Sequence, residues 1–243
     1  MSKINAKGQL AGATGPVYFR MLNGKMIMQS LPKKHKKAAV TKANAGEFGL
    51  ASRISKNLRT ALFPILMDMA DVMMYKRFVA VVHHAIKSNH SLDKGSRTLI
   101  DGDLALLNNF EMNSNSPFAQ YCHLQPEAEL SGQRIKLSVT APEGNAVIKA
   151  PEAATSCELC IHICVSNPET TAVPFAEQFR MELPLRGNAT PLSEWLSSEL
   201  PAGQLALVTA SLLFYRQDPY SGRITLSSRA LHPCSVIGAF RTV

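Results

Sequence analysis

The chain has 243 residues, 46% hydrophobic and 18% charged, with a formal net charge of +8. That balance fits one large or two small globular domains and excludes a disordered, collagen-like or coiled-coil chain. No stretch approaches the roughly 18 uninterrupted apolar residues of a membrane-spanning helix, and Met1-Ser2-Lys3-Ile4-Asn5 opens without the apolar core of a Sec signal peptide, so synthesis in the cytoplasm is expected.

Residues 1–15 form an arm spaced by Gly8, Gly12 and Gly15. Two strand-like runs follow, 16–22 and 25–30, separated by Asn23-Gly24, the dipeptide that supplies the positive-φ pair of a tight type I′ turn. The pattern predicts a β-hairpin. Alone, a hairpin is marginal in water, so this one must dock on a later part of the chain or on a neighbouring copy. Val17, Tyr18, Phe19, Arg20, Met26, Ile27 and Met28 are therefore the candidate assembly residues. Leu31-Pro32 ends the second strand, and Lys33-Lys34-His35-Lys36-Lys37 forms a basic knot, read either as a solvated linker or as a phosphate-binding segment.

From residue 44 to 88 the pattern is helical. Phe48, Ala51, Ile54, Leu58, Ala61, Ile65, Met69 and Val72 follow three/four spacing and predict one apolar stripe, with Arg53, Lys56 and Arg59 largely off it. Pro64 predicts a kink or break into helices near 44–62 and 65–88, with Asn44 or Thr41 as N-cap. Residues 89–132 are polar apart from the short run 104–107 and read mostly as connector.

Beyond residue 132 the period becomes two. Ile135, Leu137 and Val139 alternate with Arg134, Lys136 and Ser138; Leu159, Ile161, Ile163 and Val165 alternate with Glu158, Cys160, His162 and Cys164. Further strands are expected at 178–183, 204–216, 222–230 and near 236–242, with Asp218-Pro219-Tyr220-Ser221-Gly222 as a turn. Thr190-Pro191 predicts a short helical piece through Trp195. The expected fold is thus α+β: an N-terminal hairpin arm with a basic linker (1–43), a kinked helical segment (44–89), a connector (90–132) and an immunoglobulin-like antiparallel β-sandwich (133–243).

Two stretches carry a resemblance. Gly15-Pro16-Val17-Tyr18-Phe19-Arg20, with Asn23-Gly24-Lys25 and Leu31-Pro32 after it, resembles the opening of an uncharacterised protein family of Bacteroidota. The run Gly203-Gln204-Leu205-Ala206-Leu207 through Phe214-Tyr215, with Ser227-Ser228 in the next strand, is similar to that family's closing hairpin. The likeness covers the first 80 residues and the last 40. It implies a layout of hairpin arm, helical segment and β-sandwich, and no activity.

Candidate chemistry is sparse. Cys157-Glu158-Leu159-Cys160-Ile161-His162-Ile163-Cys164 has ligand types for zinc or an iron–sulfur cluster. On a strand, however, Cys157 faces away from Cys160, and no Gly or Pro lies between them to turn the chain. A buried strand is the better reading, and five cysteines without a signal peptide point to reduced thiols. Asp68 and Asp71, three apart, fit a metal or acid/base pair or simple pairing with Lys76 or Arg77. His83-His84 point about 100° apart on a helix and make poor co-ligands. Asp101-Gly102-Asp103 carries only part of a calcium loop. Phosphate-loop, dinucleotide, nucleophile-elbow and zinc-protease signatures are missing, so neither an enzyme, a cofactor, a metal nor a small-molecule substrate is expected.

Charge is polarised. Residues 1–100 hold 17 Lys+Arg against 4 Asp+Glu, a net of +13, and residues 101–243 hold 9 against 14, a net of −5. The leading expectation is a structural, self-assembling subunit of a filament, tube or phage-like particle. Its hairpin arm would pair with a neighbouring copy while the basic knot meets acidic groups around Glu127, Glu129, Glu143 or Glu152. The alternative is non-specific nucleic-acid binding through Lys33, Lys34, Lys36, Lys37, Lys42, Arg53, Lys56 and Arg59, although few aromatic residues interleave with these cations in sequence. A weaker third reading is a binding module whose sandwich loops hold a protein partner.

Overall fold

A computed structural model describes residues 3–6, 8–22, 24–31, 38–141, 148–168, 170, 172–185 and 193–243. The chain divides into two compact units, Met1–Lys42 and Ala43–Val243. In the first, strands β1 (Lys3–Ile4), β2 (Leu10–Thr14), β3 (Val17–Leu22) and β4 (Lys25–Ser30) pair antiparallel in chain order. Leu22 lies opposite Lys25, leaving a two-residue link in which Gly24 takes φ +76, a conformation side chains with a Cβ resist. Its partner in the turn, Asn23, lies outside the described residues, as does the 33–37 basic knot. The arm read as preceding a hairpin contributes two further strands, so the hairpin is half of a four-stranded meander.

The second unit is built in three layers. Its middle layer is a five-stranded antiparallel sheet centred on β7 (Ser156–Ser166) and β10 (Leu205–Asp218), which pair from Leu205↔Ser166 to Tyr215↔Ser156. Strand β8 (Phe175–Leu183) flanks β7. The free side of β10 is shared between β12 (Cys234–Arg241) and β11 (Gly222–Thr225). In the β10–β11 turn the Asp218 carboxylate accepts N–H bonds from Tyr220 and Ser221 at 3.0 and 2.8 Å.

The third layer is a sheet of β5 (Gln125–Ser131), β6 (Arg134–Thr140) and β9 (Ser193–Leu196) in that order. Its inner residues Ile135, Leu137 and Val139 share one apolar cluster with Leu159, Ile161, Ile163, Val208 and Leu212 of the middle sheet, and the Trp195 ring stacks on Phe179 at 5.5 Å. Trp195 therefore sits on a strand and not on the predicted helical piece, because Ser193–Leu196 alternates half-buried and exposed side chains while pairing with β6. Thr190 and Pro191 are outside the described residues.

Helices form the first layer. Helix α1 (Ala39–Ala61) begins before the predicted start, so Thr41 and Asn44 lie inside it instead of capping it. Pro64 sits in the first turn of the short α2 (Phe63–Leu66), where its missing N–H costs nothing. A second interruption, with Met67 and Asp68 at positive φ, delays α3 to Met74–Ser88. Ala51, Ile54 and Leu58 of α1 and Phe78, Val82 and Ile86 of α3 are fully buried in a cluster with Cys160, Cys164, Leu207 and Val236 of the middle sheet. Each fully buried Leu, Ile or Phe contributes about 1.5–3 kcal/mol. The apolar stripe is narrower than predicted: Phe48 and Val72 are exposed, the first at the edge of the α1 stripe and the second beyond the helix break.

Helices on one side and a second sheet on the other leave the middle sheet no solvated face over most of β7 and β10, where every residue of Cys157–Ser166 and Leu205–Phe214 is buried. The chain is α+β, as expected, and the helical segment and strand region form one body. The stretch read as connector belongs to it as well. It holds β5, a 3-10 turn at Leu104–Leu107 capped by Asp103, helix α4 (Phe118–Tyr121) and the buried side chains of Leu99, Phe110 and Met112. Strand β11 ends at Thr225, short of the predicted 230.

Gly102 shows how closely this stretch approaches the helices. A Cβ there would lie 2.0 Å from the Ala85 carbonyl oxygen and 2.8 Å from its carbon, both backbone atoms of α3. Gly102→Ala is expected to destabilise the protein by about 1–3 kcal/mol through overpacking. Gly46→Ala, where nothing lies within 4 Å on α1, should stabilise it by about 0.5–1 kcal/mol. Urea titrations of the two variants check both; equal midpoints would refute the packing account.

Candidate interaction surfaces

Cross-strand partners share a face of a sheet, so the register of the N-terminal meander sorts its side chains. Phe19 lies opposite Met28, Met21 opposite Met26, Val17 opposite Ser30 and Ile4 opposite Leu10. With alternation along β2, one face carries Ile4, Leu10, Val17, Phe19, Met21, Met26 and Met28. The other carries Lys3, Tyr18, Arg20, Leu22, Lys25 and Ile27. The seven predicted assembly residues are thus split: Val17, Phe19, Met26 and Met28 on the apolar face, Tyr18, Arg20 and Ile27 on the mixed one. None of the described residues of Met1–Lys42 is buried, and Ile4, Met26 and Met28 are more than half exposed. Strand β4 is a sheet edge along its full six residues.

The predicted polyanion-binding residues divide as well. Lys33, Lys34, Lys36 and Lys37 lie outside the described residues, and Arg53 and Lys56 are exposed on α1 with Arg59 half-buried. Lys56 and Arg59 line two adjoining depressions of about 420 Å³ each on the helical layer. One is bounded by Phe63, Leu66, Ala70 and Met74, the other by Phe48, Ser52, Tyr75, Lys76 and Val79. Arg53 lines neither. Sequence reasoning missed Phe48, which it placed in the core, Phe63, which follows the cations on α2, and Tyr75 and Lys76, which α3 brings to the α1 cations.

Most residues singled out for chemistry make contacts within the fold. Asp71 is buried, accepts N–H bonds from Met73 (2.8 Å) and Ser114 (3.0 Å), and pairs with Arg77, which also donates to the Glu111 carbonyl at 2.9 Å. Burial works against ionisation of Asp71, but these hydrogen bonds and the Arg77 charge prevail and hold its pKa below the usual carboxylate value. Asp68 is exposed and lies 3.6 Å from Arg229. Asp103 caps the 3-10 turn, and Asp101 accepts from the Thr98 hydroxyl at 2.7 Å. All five cysteines are buried free thiols; burial pushes those of Cys122, Cys157 and Cys164 up to about 12, far from the reactive thiolate range. Cys160, His162 and Cys164 face the helices and Cys157 faces the third layer, as strand alternation requires. Among the described residues no cluster of three or more side chains is arranged to hold a metal ion.

Two imidazoles lie sealed under the helices. His232 shares a 2.9 Å hydrogen bond between Nε2 and the Ile65 carbonyl, which fixes the proton on Nε2 in the neutral ring and leaves Nδ1 without a partner. His162 is buried with neither ring nitrogen in a hydrogen bond of ordinary geometry; the nearby Ala61 carbonyl favours its protonation without closing one. In both, desolvation dominates and lowers the pKa from 6.5.

No family model, no curated protein and no solved structure matches this chain. The geometry of the two surfaces is therefore what argues for function.

The buried imidazoles set a pH dependence. Their folded pKa values are depressed, so the unfolded chain binds more protons below about 6.5 and acid favours unfolding. Stability is full above that pH and falls below it, by up to about 2 kcal/mol per imidazole at pH 5 (1.36 kcal/mol per pH unit). Glu111, whose carboxyl is raised chiefly by burial, acts in the opposite direction at lower pH. His162→Met should flatten the loss between pH 7.5 and 5 in chemical denaturation. A wild-type stability independent of pH over that range would refute the assignment.

Proposed function

We propose that the chain is a self-assembling structural subunit of a filament, tube or phage-like particle, and that its Met1–Lys42 unit docks on a neighbouring copy. The observation that carries this reading is a four-stranded sheet without a core. Seven apolar side chains share one face, and no described residue of the unit is buried. A small sheet is stable when its apolar face is covered, and an exposed patch of this kind marks an interaction surface. The open β4 edge adds a row of unpaired backbone groups for strand addition.

Charge favours a sister copy as the cover. Residues 1–42 hold nine Lys or Arg and no Asp or Glu, whereas residues 101–243 carry a net −5. Glu127 and Glu129 are exposed on β5 and Glu152 is exposed as well; Glu143 lies outside the described residues. A basic unit that meets an acidic surface elsewhere on the next copy makes a heterologous contact, which closes into rings or propagates as filaments. The layout implied by the resemblance to the Bacteroidota family, including an immunoglobulin-like topology for the two facing sheets, belongs to the same proposal.

Light scattering on size-exclusion fractions, after nuclease treatment and at low and high salt, tests it. The full chain should elute as large particles. A chain lacking residues 1–30, or carrying Phe19→Asp with Met28→Asp, should elute as a folded monomer with unchanged thermal unfolding of the second unit. Assembly by the truncated chain, or a full chain that is monomeric at both salts, would overturn the reading.

A further inference from the structure

We propose that the two adjoining depressions on the helical layer form one binding site for single-stranded nucleic acid, built from residues outside the Met1–Lys42 unit. Lys56 and Arg59 line both depressions; the Phe63 ring joins them in the first, and the rings of Phe48 and Tyr75 and the cation Lys76 join them in the second. The rings are costly to leave in water, yet Phe48, Phe63 and Tyr75 are 53%, 62% and 44% exposed. The helices have an inner face for such side chains, and Phe78 on α3 uses it fully.

The cations are available. Among the described residues none of the three takes part in an ion pair: Arg59 donates only to the Ser55 carbonyl of its own helix at 3.2 Å, and the Lys76 ammonium lies 5.7 Å from the Tyr75 ring centre. The one acidic residue lining either depression, Asp68 in the first, lies 3.6 Å from Arg229. A net positive site therefore persists. Phe48 is also held in place, its ring edge-to-face with His83 at 5.6 Å and 88°, so a planar ligand meets an ordered surface.

Cations beside exposed aromatic faces are the combination that binds single strands, the phosphates to the charges and the bases to the rings. A duplex keeps its bases stacked internally and has no use for the rings. Each depression, at about 420 Å³, falls within the size range of ligand clefts. An acidic protein segment would use the cations without needing three aromatic faces.

Fluorescence anisotropy of the full-length protein with a labelled 20-nucleotide oligothymidylate, and with a duplex of equal length, tests the proposal. The single strand should bind more tightly, with an affinity that falls as salt rises. Lys56→Gln with Arg59→Gln should lower the steepness of the log–log salt dependence by about 1.4, near 0.7 for each phosphate no longer neutralised. Tyr75→Ala or Phe63→Ala should weaken binding by about tenfold and leave that slope unchanged. Light scattering on the same samples should show assembly intact in all these variants, which separates this site from the docking of the N-terminal unit.

Absence of binding at low salt would overturn the proposal, as would binding that only substitutions at Lys33–Lys37 remove. Equal affinity for duplex and single strand with no effect of the ring variants would overturn it too. Displacement of the oligonucleotide by polyglutamate at equal charge, again without an effect of the ring variants, would assign the depression to an acidic protein.

Discussion

The structure of the second unit depends on the pairing of β7 with β10. These strands run opposite each other for eleven residue pairs and are buried on both faces over nearly all of that length. A backbone buried so completely must satisfy its hydrogen bonds internally, since each unpaired group would cost about 1–3 kcal/mol. The long register does so, and it also fixes which side chains meet the helices and which meet the third layer. A one-residue slip would exchange the Cys160–His162–Cys164 face for the Leu159–Ile161–Ile163 face and place a histidine among the apolar residues of the sheet interface.

Buried and half-buried polar groups also align the layers. Asn57 donates to the Pro168 carbonyl at 3.1 Å, and Asn113 donates to the carbonyls of Met69 and Arg229, each at 3.1 Å. Gly95 donates its N–H to the buried Glu47 carboxylate at 2.8 Å. At the end of the sheet Glu158 accepts from Arg223 at 2.7 Å and from the Tyr215 hydroxyl at 3.1 Å, and the Arg223 guanidinium lies 3.7 Å from the Tyr215 ring centre. Removing one partner of such a group leaves the other desolvated and unpaired, which costs more than the bond itself contributes. These contacts give the layers one alignment; the apolar clusters supply the driving force.

Strand periodicity was legible where one face is apolar and the turn chemistry is local. Residues 134–139, the Asp218–Gly222 turn and the opposite facing of Cys157 and Cys160 follow from alternation alone. The three-layer arrangement was not legible. Alternation sets Glu158, Cys160, His162 and Cys164 on one face of a strand read as buried, but it does not say what covers that face; the packing of α1–α3 over Cys160 and Cys164 does. The same limit applies to 90–132, whose polar composition reads as linker although Asp103 caps the 3-10 turn and the buried Asn113 and Ser116 bond the Met69 carbonyl and the His232 N–H. Helix breaks were half legible: Pro64 announces the first, but the positive φ of Met67 and Asp68 has no glycine to mark it.

The two surfaces show why the +13 charge of residues 1–100 was ambiguous in sequence. Charge counted along a chain merges groups that the fold separates. Lys3, Arg20 and Lys25 go to the mixed face of a meander whose other face is apolar, and Lys56, Arg59 and Lys76 go to a depression lined by aromatic rings. What lies next to a cation decides its use: a broad aliphatic face with an open strand edge suits another protein surface, whereas planar rings between unpaired charges suit bases and phosphates. The tandem assignment also explains why both groups are basic without being redundant. Under the proposed assignment, the same charge excess would serve cohesion at residues 1–42 and polyanion capture on the helical layer.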